Sequence, residues 1–239
     1  MPIVKYRMVN PRLNPRRTRL EVPGWAGQRE PRADGSHEHA WHCLPFSEAA
    51  NAGIELCYPY DDELHVSMRG GELVFDVHSA APPSPDRPVP AFRSFGRDYY
   101  TYQSLIDLKV PDTHAVKTEP HPRFYTDRTG TCPIAVPALI RHWWPMIYFL
   151  VFKSPDEGGT HIFRPGEPFI QITVVEADER PELEPMSPEE AAERELQSKR
   201  IYASRETLGA GTRWTSSTNT VFDGTYRNIL GAARATTRK

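Results

Sequence analysis

One short stretch of the sequence, "HEHAWHC", places several metal-ligating side chains close together: His37, His39 and His42. Imidazoles on alternate residues of a strand project to the same face, so His37 and His39 could share a metal ion. His114 and His161, on strands expected to face each other, are a second candidate pair. Both sets are consistent with a cupin-type, oxygenase-like enzyme that uses iron, zinc or manganese. The alternative is a solvated polar turn without a metal.

A second unusual stretch, "RHWWP", combines cationic and aromatic side chains directly before an apolar run. Paired tryptophans beside a cation can form a stacking pocket or a subunit contact. The tyrosines of "DYYTYQ" alternate, which puts Tyr100 and Tyr102 on one face of a strand and Tyr99 on the other. The predicted aromatic patch consists of Arg141, His142, Trp143, Trp144, Tyr100 and Tyr102. The alternative for all of them is a place in the hydrophobic core.

Other combinations give little support for catalysis. His65 and Asp76 face each other across a predicted hairpin and would make an acid/base pair, although a solvent-facing sheet also collects such residues. No Gly-x-Ser-x-Gly elbow occurs, and none of the three cysteines has a basic or helix-start context. We therefore predict no catalytic residue and favour a protein that is not an enzyme.

The composition limits partners and location. The chain has 239 residues, a formal net charge of -2 and a pI near 6.5, so no global field attracts nucleic acid, and no specific nucleic-acid partner is predicted. Three widely spaced cysteines indicate a reducing compartment. The longest apolar run, "MIYFLVF", is too short to cross a membrane. These features predict a cytoplasmic protein.

The elements that would position these residues are mostly strands. The 24 prolines make long helices scarce. Two alternating runs around Gly70 and Gly71 predict a hairpin whose apolar face includes Leu64, Val66 and Phe75. "DYYTYQSLIDLKV" predicts a long strand, and "IAVPALIRHWWPMIYFLVFK" predicts a continuous strand buried on both faces at the centre of the sheet system.

One helix has a clear start signal. Ser187 is a candidate N-cap, Pro188 suits the first helical position, and Glu190 completes a capping box. This predicts a helix over about 188–204. The predicted organisation is a basic, proline-containing arm (1–40), a β-sandwich core (41–177) and an acidic linker, helix and tail (178–239). The fold class is all-β, a jelly-roll or β-clip-like sandwich with a C-terminal helix and extended terminal arms.

Three segments together resemble a bacterial family known as domain of unknown function 6065. They are "HCLPFSEAANAGIEL", "DYYTYQSLIDLKVPDTHAVKTEP" and the stretch that ends in "FRPGEPFIQITVV". The resemblance covers about Trp41 to Val175, and "AGIEL" lacks the tryptophan that relatives usually carry. The family implies no activity.

"FRPGEPFIQITVV" is also similar to the strand entry of trimeric deoxyuridine triphosphatases and deoxycytidine deaminases. Arg141 stands near the position of their catalytic aspartate and Trp144 near that of their tyrosine. The similarity implies a β-clip architecture without the chemistry, because the water-activating carboxylate is missing.

The favoured function is a non-enzymatic binding or assembly protein that associates with itself or with a larger protein complex through its arms and the aromatic patch, without a cofactor. The alternatives are the cupin-type metal enzyme and a nucleotide or small-molecule binder on a β-clip scaffold, with Trp143 or Trp144 stacking on the ligand.

Overall fold

The computed structural model describes most of the chain: residues 3–19, 44–79, 88–178, 181–209, 214–215 and 221–222. The chain divides into two compact units, the first formed by Met1–Glu21 with Ser47–Glu179 and the second by Val22–Phe46 with Arg180–Lys239. Twelve of the fourteen described strands belong to the first unit. Its β-strands form three antiparallel sheets, A, B and C.

Sheet A is organised on its longest strand, β7 (Tyr99–Lys109), which confirms the predicted long strand. Strand β10 pairs with one edge of β7, and two shorter strands pair with different parts of the other edge. The partners are β1 (Lys5–Met8), β6 (Phe92–Ser94) and β10 (Ile147–Lys153). A bulge interrupts the β7–β10 ladder opposite Tyr148. Bulges change the direction of side chains, and Tyr148 and Phe149 are both exposed there.

Sheet B has β12 (Pro168–Glu176) as its central strand. Four consecutive residues, Phe169 to Ile172, are buried, as expected of a strand covered on both faces. The amide of Gln171 donates to the carbonyls of Ala49 and Ala52, and so holds the end of helix α1 (Leu44–Ala50) against the sheet. The other strands of the sheet, in order with β12 third, are β2 (Arg16–Arg17), β3 (Ile54–Cys57), β8 (His114–Pro120) and β9 (Ala138–Arg141).

Sheet C contains the predicted hairpin, now confirmed as β4 (Glu63–Arg69) and β5 (Glu72–His78), with β11 (Thr160–Phe163) on the other side of β4. Both turn glycines have positive φ, +61° and +78°, which explains the Gly-Gly pair. His65 lies opposite Asp76 as predicted. Their side chains nevertheless pair elsewhere, Asp76 with Arg69 and His65 with Glu63, so the structure forms no acid/base pair between them.

The three sheets meet at an aromatic core. Tyr100 of β7 stacks on Phe152 of β10 with ring centroids 5.3 Å apart, and Phe163 of β11 packs edge-on against Phe169 of β12 at 5.8 Å. All four rings are fully buried. Rings of this size dominate core energetics because each one removes about 150–250 Å² from water. The predicted all-β class is confirmed.

The second unit contains helix α2 (Pro188–Gly209) and two short paired strands, β13 (Trp214–Thr215) and β14 (Val221–Phe222). The predicted capping box is confirmed: the Glu190 N–H donates to Ser187 Oγ at 3.2 Å, and the Ser187 N–H donates to Glu190 Oε2 at 2.8 Å. The helix extends beyond the predicted end. Residues 20–40 of the predicted arm and most of the predicted tail lie outside the described residues. None of the described helices is both long and apolar enough to span a membrane.

Candidate binding surface

The chain moves from one sheet to another at Pro137. Before it, the Val136 N–H donates to the Val151 carbonyl at 2.8 Å, so this segment lies along the outer edge of β10 in sheet A. After it, the Ala138 N–H donates to Thr118 Oγ1 at 2.9 Å, and the chain continues as β9 beside β8 in sheet B. A proline has no N–H to donate and suits such a corner. The chain then returns to sheet A as β10.

This path leaves a groove between β9 and β10, which are the end strands of sheets B and A. The groove has a volume of about 280 Å³ and a mostly apolar lining. Val136, the residue before Pro137, belongs to its wall. The lining residues from sheet A and the residue after β6 are Tyr99, Phe149, Leu150, Val151 and Phe95; those from sheet B and the crossing segment are Thr118, Val136, Ala138 and Ile140.

Residues 142–146, the tryptophan loop, connect the end of β9 to the start of β10, the two strands between which the groove lies. The Trp144 N–H donates to the Arg141 carbonyl at 2.9 Å, which closes a tight turn. This turn holds the two indole rings side by side with centroids 5.7 Å apart, and leaves Trp143 63% and Trp144 49% exposed. Arg141 does not stack on them; its guanidinium pairs with Asp178 at 2.7 Å.

The sheet A wall of the groove also carries exposed aromatic rings. Phe149 is 40% exposed, and the guanidinium carbon of Arg93 lies 4.5 Å from the centre of its ring. This cation–π contact orders the ring at the surface. Tyr99 and Phe95 are exposed as well.

The structure divides the predicted aromatic patch. Arg141, His142, Trp143 and Trp144 are adjacent in sequence and lie at the surface, whereas Tyr100 and Tyr102 are buried in the core and are not accessible to another protein. The predicted alternation along β7 is correct, but the face that points outward carries Tyr99, which lines the groove. The single doubly buried strand predicted over 134–153 is also wrong, because the segment forms two end strands. Sequence patterns do not state which strands pair, so they missed the groove.

The histidines proposed as metal ligands are placed apart where they are described. His161 is buried on β11, and its Nδ1 lies 2.9 Å from the hydroxyl of Tyr100. His114 is on β8 in a different sheet and pairs with Thr113. Among the described residues, no group of three or more His, Cys, Asp or Glu side chains is arranged to hold a metal ion. His37, His39 and His42 lie outside the described residues, so a metal site there stays a prediction.

Comparison with known proteins gives distant structural similarity only. No family model matches the chain, and no curated protein matches it. The native EIAV dUTPase is similar in structure, with a TM-score of 0.37 and 9% identity over 78% of this chain and 98% of that one. Two dUTPase structures from phage phi11 of S. aureus have TM-scores of 0.24 and 0.25, with 12% and 10% identity, each over 52% of this chain and 96% of the other. Similarity at this level carries no information about activity.

Proposed function

We propose that this protein is a non-enzymatic binding protein that associates with a second copy of itself through the groove and the tryptophan loop. The observation that supports the proposal is the exposure of two adjacent tryptophans at the junction of two end strands. Tryptophan and tyrosine are the side chains most enriched at energetically important interface positions.

The size of the exposed apolar surface supports an interface. Phe95, Tyr99, Trp143, Trp144 and Phe149 are each about half exposed. Since an aromatic side chain offers about 150–250 Å², these five present roughly 500 Å² to solvent. The largest patch on an ordinary monomer covers about 300–600 Å² and is often functional. Association that covers this surface would remove it from water at about 25 cal/mol per Å².

The backbone of the same region favours a second copy as the occupant. In the sheets formed by the described residues, β9 and the first half of β10 have no strand on their outer side. An open edge pairs with another strand, and two identical edges related by a two-fold axis run antiparallel to each other. A net charge of -2 on each copy gives little repulsion against such pairing.

Sedimentation velocity over a range of protein concentrations tests the proposal. We expect the wild-type protein to associate, and the double variant Trp143→Ser, Trp144→Ser to shift toward the monomer. Val89→Ser is the matched control, because it also removes an exposed apolar side chain but lies outside the groove and the tryptophan loop. A wild-type monomer at every concentration, or undiminished association of the double variant, would contradict self-association.

Membership in the family of domain of unknown function 6065 is a further part of the proposal and rests on the "FRPGEPF" segment. In this segment Gly166 has φ +72°, and the two flanking phenylalanines, Phe163 and Phe169, are buried. Because the fold depends on the glycine and on both phenylalanines, the segment is useful for identifying relatives. It does not suggest an activity.

A further inference from the structure

A second cavity, with no lining residue in common with the groove, lies beside the turn that precedes β12. It has a volume of about 230 Å³, smaller than pockets for drug-sized ligands, and its lining is rich in charge. Three arginines and one histidine contribute to the lining: Arg19, Arg123, Arg164 and His121. The acidic contributors are Asp127 and Glu167. Among these lining residues, three guanidinium groups outnumber two carboxylates, so the lining is net positive when the imidazole is neutral.

A buried carboxylate holds Arg19 at this pocket. Glu55 is fully buried on β3 and accepts hydrogen bonds from the Arg16 side chain at 2.5 Å and from the Arg19 backbone N–H at 3.2 Å. Because the bond to Arg19 uses its main chain, the side chain is left to line the pocket. The N-terminal segment is therefore anchored to sheet B by charge.

The histidine in the wall is held in one tautomer. His121 Nδ1 accepts from the Arg123 backbone N–H at 3.1 Å, so the ring proton is on Nε2, which donates to Glu55 at 2.9 Å. Each ring nitrogen therefore makes a hydrogen bond within the protein, and neither is available to exchange a proton with a ligand. The adjacent Cys132 thiol is buried, and burial raises its pKa in spite of the nearby Arg123. The pocket is thus arranged for binding rather than for acid/base or nucleophilic chemistry.

The Asp127 carboxylate makes its hydrogen bonds within its own loop. Its carboxylate accepts hydrogen bonds from the Thr129 N–H and the Cys132 N–H, each at 2.9 Å, and from the Thr129 hydroxyl. These bonds close the loop that follows Arg123. The carboxylates directed at the arginines are those of Glu167 and, from outside the lining, Glu63.

The two inner arginines share Glu167. Arg123 Nη1 makes a short hydrogen bond to Glu167 Oε2, whereas Arg164 Nη1 lies 3.7 Å from the same oxygen and its Nε lies 3.6 Å from Glu63. These last two distances exceed a hydrogen bond. Arg164 therefore lines the cavity close to two carboxylates but without a hydrogen bond to either. A planar guanidinium placed in this way can form bidentate hydrogen bonds with a phosphate or carboxylate group.

We propose that this pocket binds a phosphate group, as inorganic phosphate or as the terminal group of a small phosphomonoester, between Arg19, Arg123 and Arg164. A phosphate carries about -1.5 to -2 charges at neutral pH and strong acceptor oxygens, which match a net positive cavity with several guanidinium donors. Glu167 competes with the phosphate for Arg123 and Arg164, so it lowers the affinity of the pocket for phosphate. The site is independent of self-association through the groove.

Isothermal titration calorimetry of the full chain at constant ionic strength, with inorganic phosphate, methyl phosphate and malonate as probes, tests this assignment. We expect saturable binding of the two phosphates and weaker binding of malonate. Arg164→Gln and Arg19→Gln should each weaken phosphate binding at least about fivefold, and Arg164→Lys, which keeps the charge but loses the planar fork, should weaken it less. Glu167→Gln should strengthen binding, because it removes the competing charge.

Arg7→Gln is the matched control, since it removes one positive charge from an exposed arginine that pairs with Asp107 outside the pocket. It should leave the affinity within about twofold of wild type. Melting temperatures without phosphate show whether each variant is folded, and Arg164→Lys replaces Arg164→Gln if the latter is not. No saturable phosphate binding, an equal loss in Arg7→Gln, malonate binding as tightly as phosphate, or no gain in Glu167→Gln would overturn the assignment.

Discussion

The Nε2 atom of His121 donates a hydrogen bond to Oε2 of Glu55 across 2.9 Å, and both side chains are buried. Burial alone would raise the pKa of the Glu55 carboxyl, but the hydrogen bonds from His121, Arg16 and the Arg19 N–H together lower it below its ordinary value of 4.5. The carboxylate is therefore charged in the folded protein. It connects strand β3, the turn after β8 and the N-terminal segment through a single group.

We expect Glu55→Gln to lower the free energy of unfolding by about 3 kcal/mol at neutral pH. One carboxylate oxygen becomes an amide donor that faces other donors, and Arg16 loses its buried counter-charge. Asp61→Asn is the matched control because it also breaks an arginine–carboxylate pair, with Arg12, but at the surface, where such pairs contribute about 0–1 kcal/mol. Urea denaturation monitored by tryptophan fluorescence measures both values.

The same substitution should change the acid dependence of stability. A carboxyl whose pKa is lowered on folding stabilises the protein above its unfolded pKa, and this stabilisation is lost as pH falls through the folded pKa. Wild-type stability should therefore drop below about pH 4.5 more steeply than that of Glu55→Gln. Equal slopes in the two proteins, or equal costs of Glu55→Gln and Asp61→Asn at neutral pH, would show that the buried carboxylate is not the anchor.

Sequence patterns were sufficient where the partners are close along the chain. The β4–β5 hairpin follows from two alternating runs around Gly70 and Gly71, and the capping box needs only Ser187 and Glu190 three residues apart. Neither feature depends on the rest of the fold. They were predicted correctly for that reason.

Burial of the His161 imidazole leads to a second pH effect at milder acidity. Burial lowers the pKa of His161 from 6.5 to about 4, although Asp156 opposes this shift. Between these two values the unfolded chain binds a proton at His161 and the folded protein does not, so stability falls as the pH falls. A shift of this size corresponds to roughly 3 kcal/mol lost between about pH 6.5 and pH 4.

His161→Gln should remove most of this loss and give a flatter profile of unfolding free energy between about pH 6.5 and pH 4.5, even if its stability at neutral pH is lower because the contact with Tyr100 changes. His142→Gln is the control, since His142 is exposed in the tryptophan loop and its replacement should leave the profile unchanged. A His161→Gln profile parallel to that of the wild type would contradict a neutral buried imidazole.

The features that sequence patterns did not predict depend on contacts between distant segments. Glu55 and His121 are 66 residues apart, and only the pairing of β3 and β8 on either side of β12 brings them together. The segment that ends in β10 has the composition of a central strand, yet the turn at Pro137 and the bulge opposite Tyr148 place it at the edge of sheet A. Composition describes how apolar a strand is and not which neighbour covers it.

Gly53 shows how closely two of those distant segments approach each other. It has φ +78°, and a Cβ at this position would lie 2.3 Å from the backbone oxygen of Ile172 on β12. Its own carbonyl accepts from the Thr18 N–H at 3.1 Å. A side chain would therefore have to move the start of β3 away from β12, the central strand of sheet B. Glu55 lies on β3, so its hydrogen bond to the backbone of Arg19 would be disturbed as well.

Gly53→Ala should lower the free energy of unfolding by at least about 3 kcal/mol, because overpacking against a main chain that cannot yield adds to the strain of a left-handed alanine. Gly96→Ala separates the two effects, since Gly96 has φ +72° but no atom within 4 Å of the added Cβ, and it should cost only about 1 kcal/mol. Denaturant unfolding of both variants measures the difference. If both substitutions lower the free energy of unfolding equally, backbone strain alone explains the effect at Gly53, and the close approach of β3 to β12 contributes nothing. A larger loss at Gly53 shows that this contact fixes the position of Glu55.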